Sequence, residues 1–484
     1  MIPIIQTADQ LSVTNQLVFE VKGKPYVFQG LSGFISEISP LGKSILEILK
    51  SDSQSLSEVE EQLSIQYGKA EVRSAIEELL QQEVIRLNDS IGRNSRTPGV
   101  PQGELPIQTL VFHLVNECNL GCTYCYAGGG EYGAPMKAMN EPTAEKAIDF
   151  LIKESKNAPN VSVILFGGEP TLNWRLLTHV VEYGKKAAQQ AGKKIDFSMT
   201  TNGTLLNERR INFLVEHNVG VSVSMDGDEN TQDTWRPFKS GHGSYEMVNK
   251  NARKLIEKHR TKPVAARVTL TKDFPHVKET FTHLQEMGFH EVGFAPVSET
   301  DEAFILNKPE LSRLLDEFEE LTEIFVHEAK EDRYFGFSNL VNVLVELHTG
   351  VNKSYGCGAG IGFYAVSPSG DLFLCHRFNE QDEYKMGDIY QGVDRRFQKT
   401  LLESLHVDNK TTCSRCPLKH TCSGGCYYEA KERQGEITSP NLHYCNWMYR
   451  WYTIALKAYV QVMEDNPTFL DRIAGLPLDD CHAN

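Results

Sequence analysis

The side chains best suited to chemistry in this sequence are cysteines, and they come in groups. Of eleven, none precedes Cys118 and none falls between Cys125 and Cys357. Cys118, Cys122 and Cys125 form a CxxxCxxC run, Cys118-Asn119-Leu120-Gly121-Cys122-Thr123-Tyr124-Cys125. Soft thiolates in such a cluster favour zinc or an iron–sulfur centre. Three ligands from one short loop leave a fourth coordination position open, and an open position is where chemistry can occur. Seven more thiols follow between Cys357 and Cys445: Cys357, Cys375, then Cys413-x2-Cys416-x5-Cys422-x3-Cys426, then Cys445. The block from Cys413 to Cys426, taken alone, also reads as a zinc ribbon. Cys481 is left over as a tail thiol. With no N-terminal signal segment and no apolar run long enough to span a bilayer, the chain is expected in the cytoplasm, where thiols bind metal or do redox work more often than they pair.

Elements must hold these thiols in place. The apolar run Leu110–Val115 reads as a buried strand, so the first cysteine group sits in the loop leaving its C-terminal end. Strands are predicted at 107–115, 161–166, 195–199, 219–225, 265–270 and 291–296. Helices at 142–155, 174–191, 207–217, 245–259 and 276–287 alternate with them. Repeated strand–helix units of this kind give an α/β fold with a parallel sheet and helices outside. In barrels built this way the site lies at the C-terminal strand ends. Polar motifs occupy those ends. After the second strand comes Gly167-Gly168-Glu169-Pro170-Thr171, whose glycines permit close backbone approach to a ligand and whose carboxylate can take an ammonium proton. After the third comes Thr200-Thr201-Asn202-Gly203-Thr204, and after the fourth Ser224-Met225-Asp226-Gly227, with Asp226 read as shaping the turn. Arg267 is a charge inside an apolar strand, which predicts that it points into the barrel towards ligand or pairs with an acid.

This combination resembles the radical S-adenosylmethionine (SAM) enzymes. The resemblance implies a partial (β/α)6 TIM-like barrel over 106–305, in which Cys118, Cys122 and Cys125 hold a [4Fe–4S] cluster and SAM chelates its fourth iron. The aromatic Tyr124 before the third cysteine fits that loop. Gly167, Gly168 and Glu169 match the motif that holds the SAM amino group. Asn202 and Ser224 then become polar contacts to SAM. Arg236 is either a partner of the SAM carboxylate or a surface arginine, and Arg267 counts among the ligand contacts.

The later thiols, with Gly370 five residues before Cys375, resemble the SPASM extension of radical SAM peptide maturases, here 357–450 after a helical bridge at 306–356. That resemblance implies two auxiliary [4Fe–4S] clusters, an outer one on Cys413, Cys416, Cys422 and Cys445 and an inner one on Cys357, Cys375 and Cys426. Sulfatase maturases carry one more cysteine shortly after the first of these. Here Gly358-Ala359-Gly360-Ile361-Gly362 has none, which leaves the inner cluster an iron for a substrate thiolate, unless water or a side chain such as Cys481 takes it. His376 stands where those enzymes have an acidic catalytic residue; His376 and Arg377 are candidates for substrate contact or for ordinary packing. No catalytic base is assigned.

Residues 1–90 read as three strands, three helices and a short strand, with Ser55 or Ser57 as a helix N-cap. The pattern resembles a small winged helix. With 13 acidic against 7 basic residues there, and −15 overall, nucleic acid is an unsuitable partner. It is closer to the recognition element that captures a leader peptide as an added strand. A linker at 91–105 and a C-terminal helix and tail at 451–484 complete the predicted organisation. The resemblance implies a maturase that takes electrons from a donor such as flavodoxin or ferredoxin, binds a ribosomally made precursor and installs thioether crosslinks. Thioether-forming maturases such as that of quinohemoprotein amine dehydrogenase are the nearest match. Two alternatives stay open: carbon–carbon or carbon–oxygen crosslinking on the same scaffold, and a zinc-ribbon, winged-helix binding adaptor.

Overall fold

The computed structural model describes residues 6–13, 15–88, 98–274, 276–298 and 300–476. Residues 91–97 of the predicted linker, and Cys481, lie outside these residues.

The central body alternates as predicted: β7 (Thr109–His113), α4 (Glu141–Glu154), β8 (Asn160–Phe166), α5 (Trp174–Gln190), β9 (Lys194–Thr201), α6 (Glu208–Glu216), β10 (Gly220–Ser224), α7 (Glu229–Trp235), α8 (Tyr245–Lys258), β11 (Val264–Leu270), α9 (Val277–Glu286) and β12 (Glu291–Pro296). Adjacent strands pair in parallel, and β12 is an edge that does not return to β7. Each strand shows one face to the helices and one to the lumen. In β11, Val264, Ala266, Val268 and Leu270 are buried while Arg267 is not. Helix α5 lays Leu176, Leu177, Val180, Val181, Gly184 and Ala188 on the sheet, and a Cβ at Gly184 would come within 2.8 Å of the Phe197 ring. Apolar residues at helical spacing on one element and alternating on the next give a dry helix–sheet interface.

The sheet does not stop at β7. After α10 (Lys308–Lys330) and α11 (Ser338–His348), β13 (Phe363–Val366) pairs in parallel with β7, Ala365 opposite Val111. Antiparallel strands β14 (Asp371–Phe373), β15 (Lys385–Asp388) and β16 (Gly392–Val393) extend it to ten strands. The rest is helical: α12 (Arg395–Leu405), α13 (Lys419–Cys422), α14 (Tyr427–Gln434), α15 (Cys445–Asp465) and α16 (Pro467–Ile473). Among the described residues no helix is long and apolar enough to cross a membrane.

The N-terminal body has two small sheets. Strands β2 (Gln16–Val21), β3 (Lys24–Gln29) and β4 (Phe34–Glu37) form one. The other, β5–β1–β6, comprises β1 (Gln10–Val13), β5 (Gln54–Ser55) and β6 (Ile85–Leu87), of which the sequence reading foresaw only β6. Helices α1 (Pro40–Leu49), α2 (Leu56–Tyr67) and α3 (Lys69–Gln81) cover one side, and Ser55 caps α2 in a reciprocal box with Glu58. Val27 points into this body's own core with Ile45, Val59 and Ile76. Leu17, Phe19, Tyr26 and Phe28, on the opposite face, join the main core. The Tyr26 hydroxyl donates to Glu464 Oε1 at 2.9 Å on α15.

The last third is pinned by an aromatic knot. Phe337, fully buried, lies with ring centroids 5.0 Å from Phe318, 6.0 Å from Phe281 and 6.0 Å from Trp451. Phe337→Ala is expected to remove about 3–5 kcal/mol, as for large aromatic truncations in cores, and to lower the urea midpoint followed by tryptophan fluorescence.

Candidate active site

Cys118, Cys122 and Cys125 are free and partly buried at the C-terminal end of β7. The stem of their loop is held main chain to main chain. Gly168 N donates to Val115 O at 2.9 Å and Glu169 N to Glu117 O at 2.8 Å. A Cβ at Gly168 would lie 2.2 Å from Glu117 O, and one at Gly167, where φ is +136°, 2.4 Å from Val115 O. The close approach these glycines permit in this structure is to the cysteine loop itself. Glu169 is 1% exposed. Its Oε1 accepts from Thr171 N at 3.0 Å, Thr171 Oγ1 at 2.5 Å and Thr201 Oγ1 at 2.7 Å, and its Oε2 from Asn202 N at 2.7 Å. Burial raises its pKa against these donors. Asn202 Nδ2 reaches Asn119 Oδ1 at 2.9 Å and the Cys118 sulfur at 3.7 Å.

The other side of the loop rests on a buried triad. The Tyr124 hydroxyl donates to Asp226 Oδ2 and accepts from Arg236 Nη1 at 2.7 Å. Arg236 is 9% exposed, so the surface alternative is overturned. Asp226 also accepts from Thr269 N on β11 at 2.9 Å, and the turn-shaping role expected of it belongs to Asp228, which caps α7. Burial raises the Asp226 pKa, and the Arg236 guanidinium opposes that rise.

The lumen has two unlike walls. Strand register lines up Ser222 with Thr200, and Ser224 with Arg267 and Gly293, along one side. Arg267 points inwards and has no carboxylate within ion-pair distance among the described residues, so of its two expected roles the acid partner is absent. Partial burial and the Arg377 charge lower its pKa. Opposite, Val111, Ala365 and Phe373 pack with Ile164, Phe166 and Phe363. His113 stands there fully buried, both ring nitrogens without a partner, edge-on to Tyr132 at 5.0 Å and Phe166 at 5.7 Å. His376 meets Phe166 at 5.0 Å, and burial first, then Arg377, pushes its pKa down to about 3. It is neutral at physiological pH.

The later thiols fall into two sets. Cys426 acts electrostatically on both Cys357 and Cys375, and Cys413, Cys416 and Cys445 act on Cys422. Cys375 of the first set and Cys125 of the CxxxCxxC loop both act on the Tyr126 hydroxyl. Between them the Arg377 guanidinium lies over the Tyr126 ring at 5.3 Å and the Tyr428 ring at 5.6 Å. Asn116, at the stem of the loop, donates to Glu380 at 3.1 Å, beyond Cys375. Burial pushes the Cys118 thiol up to about 11 and those of Cys375 and Cys422 up to about 12. Metal binding must therefore displace protons there. Among the described residues no three such groups converge closely enough for a single metal ion.

The radical SAM superfamily model matches residues 113–293. That stretch holds all three cysteines of the first loop, the Gly167-Gly168-Glu169 turn and four of the six barrel strands whole. The central body is a radical SAM domain. A serine-type anaerobic sulfatase-maturating enzyme of Bacteroides thetaiotaomicron is 28% identical over 384 residues, 72% of this chain and 89% of that protein. The radical SAM cyclopropyl synthase TigE of Paramaledivibacter caminithermalis is 23% identical over 461 residues, 85% of this chain and 88% of that one. A solved structure of native anSMEcpe with bound AdoMet and Cp18Cys peptide superposes with a TM-score of 0.60 at 20% identity, covering 76% of this chain and 99% of that one, and shares the fold.

A radical SAM domain uses a [4Fe–4S] cluster and SAM, and the donors here suit both. Three free thiols share one loop, beside strand ends rich in hydroxyl and amide groups. Of the residues expected to contact SAM, Ser224 and Arg267 face the lumen, Tyr124 and Arg236 face each other, and Gly167, Gly168, Glu169 and Asn202 brace the loop. The lumen aromatics and His113 went unnoticed in the sequence, although register with Phe166 on β8 turns His113 inwards. Gly168→Ala should displace the loop. Anaerobically reconstituted Gly168→Ala is expected to hold about four fewer irons per chain than wild type, one cluster's worth, with the later sets still filled.

Proposed function

We propose that the protein is a peptide maturase of the radical SAM/SPASM kind, carrying three [4Fe–4S] clusters and forming thioether crosslinks in a ribosomally made precursor. The observation that carries this reading is that Cys125 and Cys375 lie by the same Tyr126 ring, so that Cys357, Cys375 and Cys426 neighbour the loop of Cys118, Cys122 and Cys125, each set one thiol short of four, with Cys413, Cys416, Cys422 and Cys445 grouped apart. The similarity to sulfatase-maturating enzymes and to a cyclopropyl synthase supports a substrate handled by radical chemistry. The shared fold with an enzyme bound to a peptide supports a peptide in the lumen.

When bound, the first cluster and SAM supply one electron and a 5′-deoxyadenosyl radical able to take a hydrogen atom. This chain's residues do the rest. Gly167, Gly168 and the Tyr124–Asp226–Arg236 triad fix the loop. The aromatic wall excludes water from the reacting carbon, and the hydroxyl row with Arg267 orients polar groups of SAM and substrate. In the crosslink a sulfur–carbon bond forms. The hydrogen atom from the carbon would go to the 5′-deoxyadenosyl radical, the proton from the thiol to solvent, and the remaining electron to an iron–sulfur cluster held by Cys357, Cys375 and Cys426. His376, neutral and held a weak base by burial and Arg377, is a packing or hydrogen-bonding group here, and no base is assigned. In this reading residues 1–90 take the precursor leader as a strand, the free edge of β4 with its exposed Phe34 being suited to it. Flavodoxin or ferredoxin would deliver the electrons in the cytoplasm.

Reconstituted protein is expected to bind about twelve irons and, with SAM and a reductant, to release 5′-deoxyadenosine. Cys118→Ala is expected to abolish that release. A precursor encoded beside the gene should lose two hydrogens and one alkylatable thiol per crosslink, read by mass spectrometry. Loss of the hydrogens with every thiol still alkylatable would instead support carbon–carbon or carbon–oxygen bond formation. Zinc in place of iron would point to the adaptor.

A further inference from the structure

Lys410 is a buried cation. It is 3% exposed, and no carboxylate pairs with it among the described residues. Its Nζ donates to Thr438 O at 2.8 Å and Ser439 O at 3.2 Å and lies 5.8 Å from the centre of the Tyr427 ring. Three donors thus meet two carbonyl oxygens and a π face, an arrangement for an ammonium. A buried charge is costly unless a counter-charge lies near. Around it lie the thiols of Cys413 and Cys422, which become negative only as ligands, and, more weakly, the exposed Glu436 carboxylate.

Its path is also built. The Lys410 carbonyl accepts from Cys413 N at 2.8 Å. The stem then passes Gly424, where φ is +85° and a Cβ would lie 2.7 Å from Lys410 Cδ. Gly424 follows Cys422 by two residues, and its carbonyl accepts from Asn441 N at 2.9 Å. The Cys445 thiol points back at Asn441 O at 3.9 Å. One side chain therefore touches the segments that carry Cys413, Cys422 and Cys445.

We propose that Lys410 is the counter-cation of an anionic iron–sulfur cage held by Cys413, Cys416, Cys422 and Cys445, clasping the loops that carry these thiols and biasing the cage towards its reduced form. This rests on reading that four-thiol set as a cluster site. Each electron added makes such a cage more negative by one charge, and a fixed cation in a low-dielectric surround stabilises that added charge. Lys410 is a positioning and tuning residue; it touches no substrate.

The test compares wild type, Lys410→Met and Lys410→Arg as full-length, anaerobically reconstituted protein, by iron and zinc content and by redox titration followed by electron paramagnetic resonance. With Lys410→Met the reduced-to-oxidised ratio of one cluster at fixed potential is expected to fall about tenfold, 59 mV for a one-electron couple, with the other clusters unmoved. Lys410→Arg should restore most of the ratio. If Lys410→Met instead loses about four irons, their return in Lys410→Arg supports the counter-charge role, and their loss in both variants overturns it. Full iron with every midpoint unchanged in Lys410→Met also overturns it. Wild type that fills the four-thiol set with zinc, or leaves it empty, overturns the cluster reading itself, whatever the variants do.

Discussion

A Cβ at Gly168 would lie 2.2 Å from the Glu117 carbonyl oxygen, and the paired main chains of residues 115–118 and 167–169 are what give the CxxxCxxC loop a fixed shape. A loop of small polar residues has little apolar surface with which to hold itself against its own conformational entropy. Here the ordering comes from hydrogen bonds between two strand ends, which adjacent parallel strands deliver to the same level. Glu169 then extends the bracing sideways to β9 through Thr201 and Asn202, and Asn202 returns to Asn119 and the Cys118 sulfur. The first thiol is thus fixed through two successive strand ends. The Gly-Gly-Glu turn thus braces the cysteine loop.

The same economy links the distant thiols. Parallel pairing of β13 with β7 makes the sheet continuous from the barrel into the last third, so Cys375, just beyond β14, shares a frame with Cys118, just beyond β7. Arg377, stacked between Tyr126 and Tyr428, fills the gap with a cation, and Asn116 bonded to Glu380 fixes the separation. Two ligand sets on one rigid sheet can hold a constant distance that two flexibly tethered domains could not.

Much of this was legible in the residues because local pattern decides it. The six barrel strands and their helices follow from period-two and period-3.6 apolar spacing. The CxxxCxxC group follows from spacing, and the division of the later thiols from a family resemblance. What escaped depends on long-range pairing. Strand β1 pairs with β5 and β6, dozens of residues away, and no local periodicity announces Gln10–Val13. The β7–β13 junction bridges some 250 residues. Arg236 read equally well as surface or ligand, because a sequence does not show that Tyr124, 112 positions earlier, is its neighbour. Lys410 looks like any loop lysine until Gly424 and the carbonyls of Thr438 and Ser439 are seen around it.

The lumen walls bear on selectivity. One side carries hydroxyls and the Arg267 guanidinium, the other Val111, Ile164, Phe166 and Phe363. A substrate with a polar group and an apolar flank can satisfy both at once; a uniformly apolar one would leave the Arg267 side unpaired, and an unpaired polar group in a closed site costs more than a missing apolar contact gains. The His113 ring sharpens the point. It is fully buried with both nitrogens unpartnered, and burial holds its pKa well below the usual histidine range. A neutral imidazole with one donor and one acceptor nitrogen thus stands enclosed between Tyr132 and Phe166. The apolar wall is therefore not uniformly apolar.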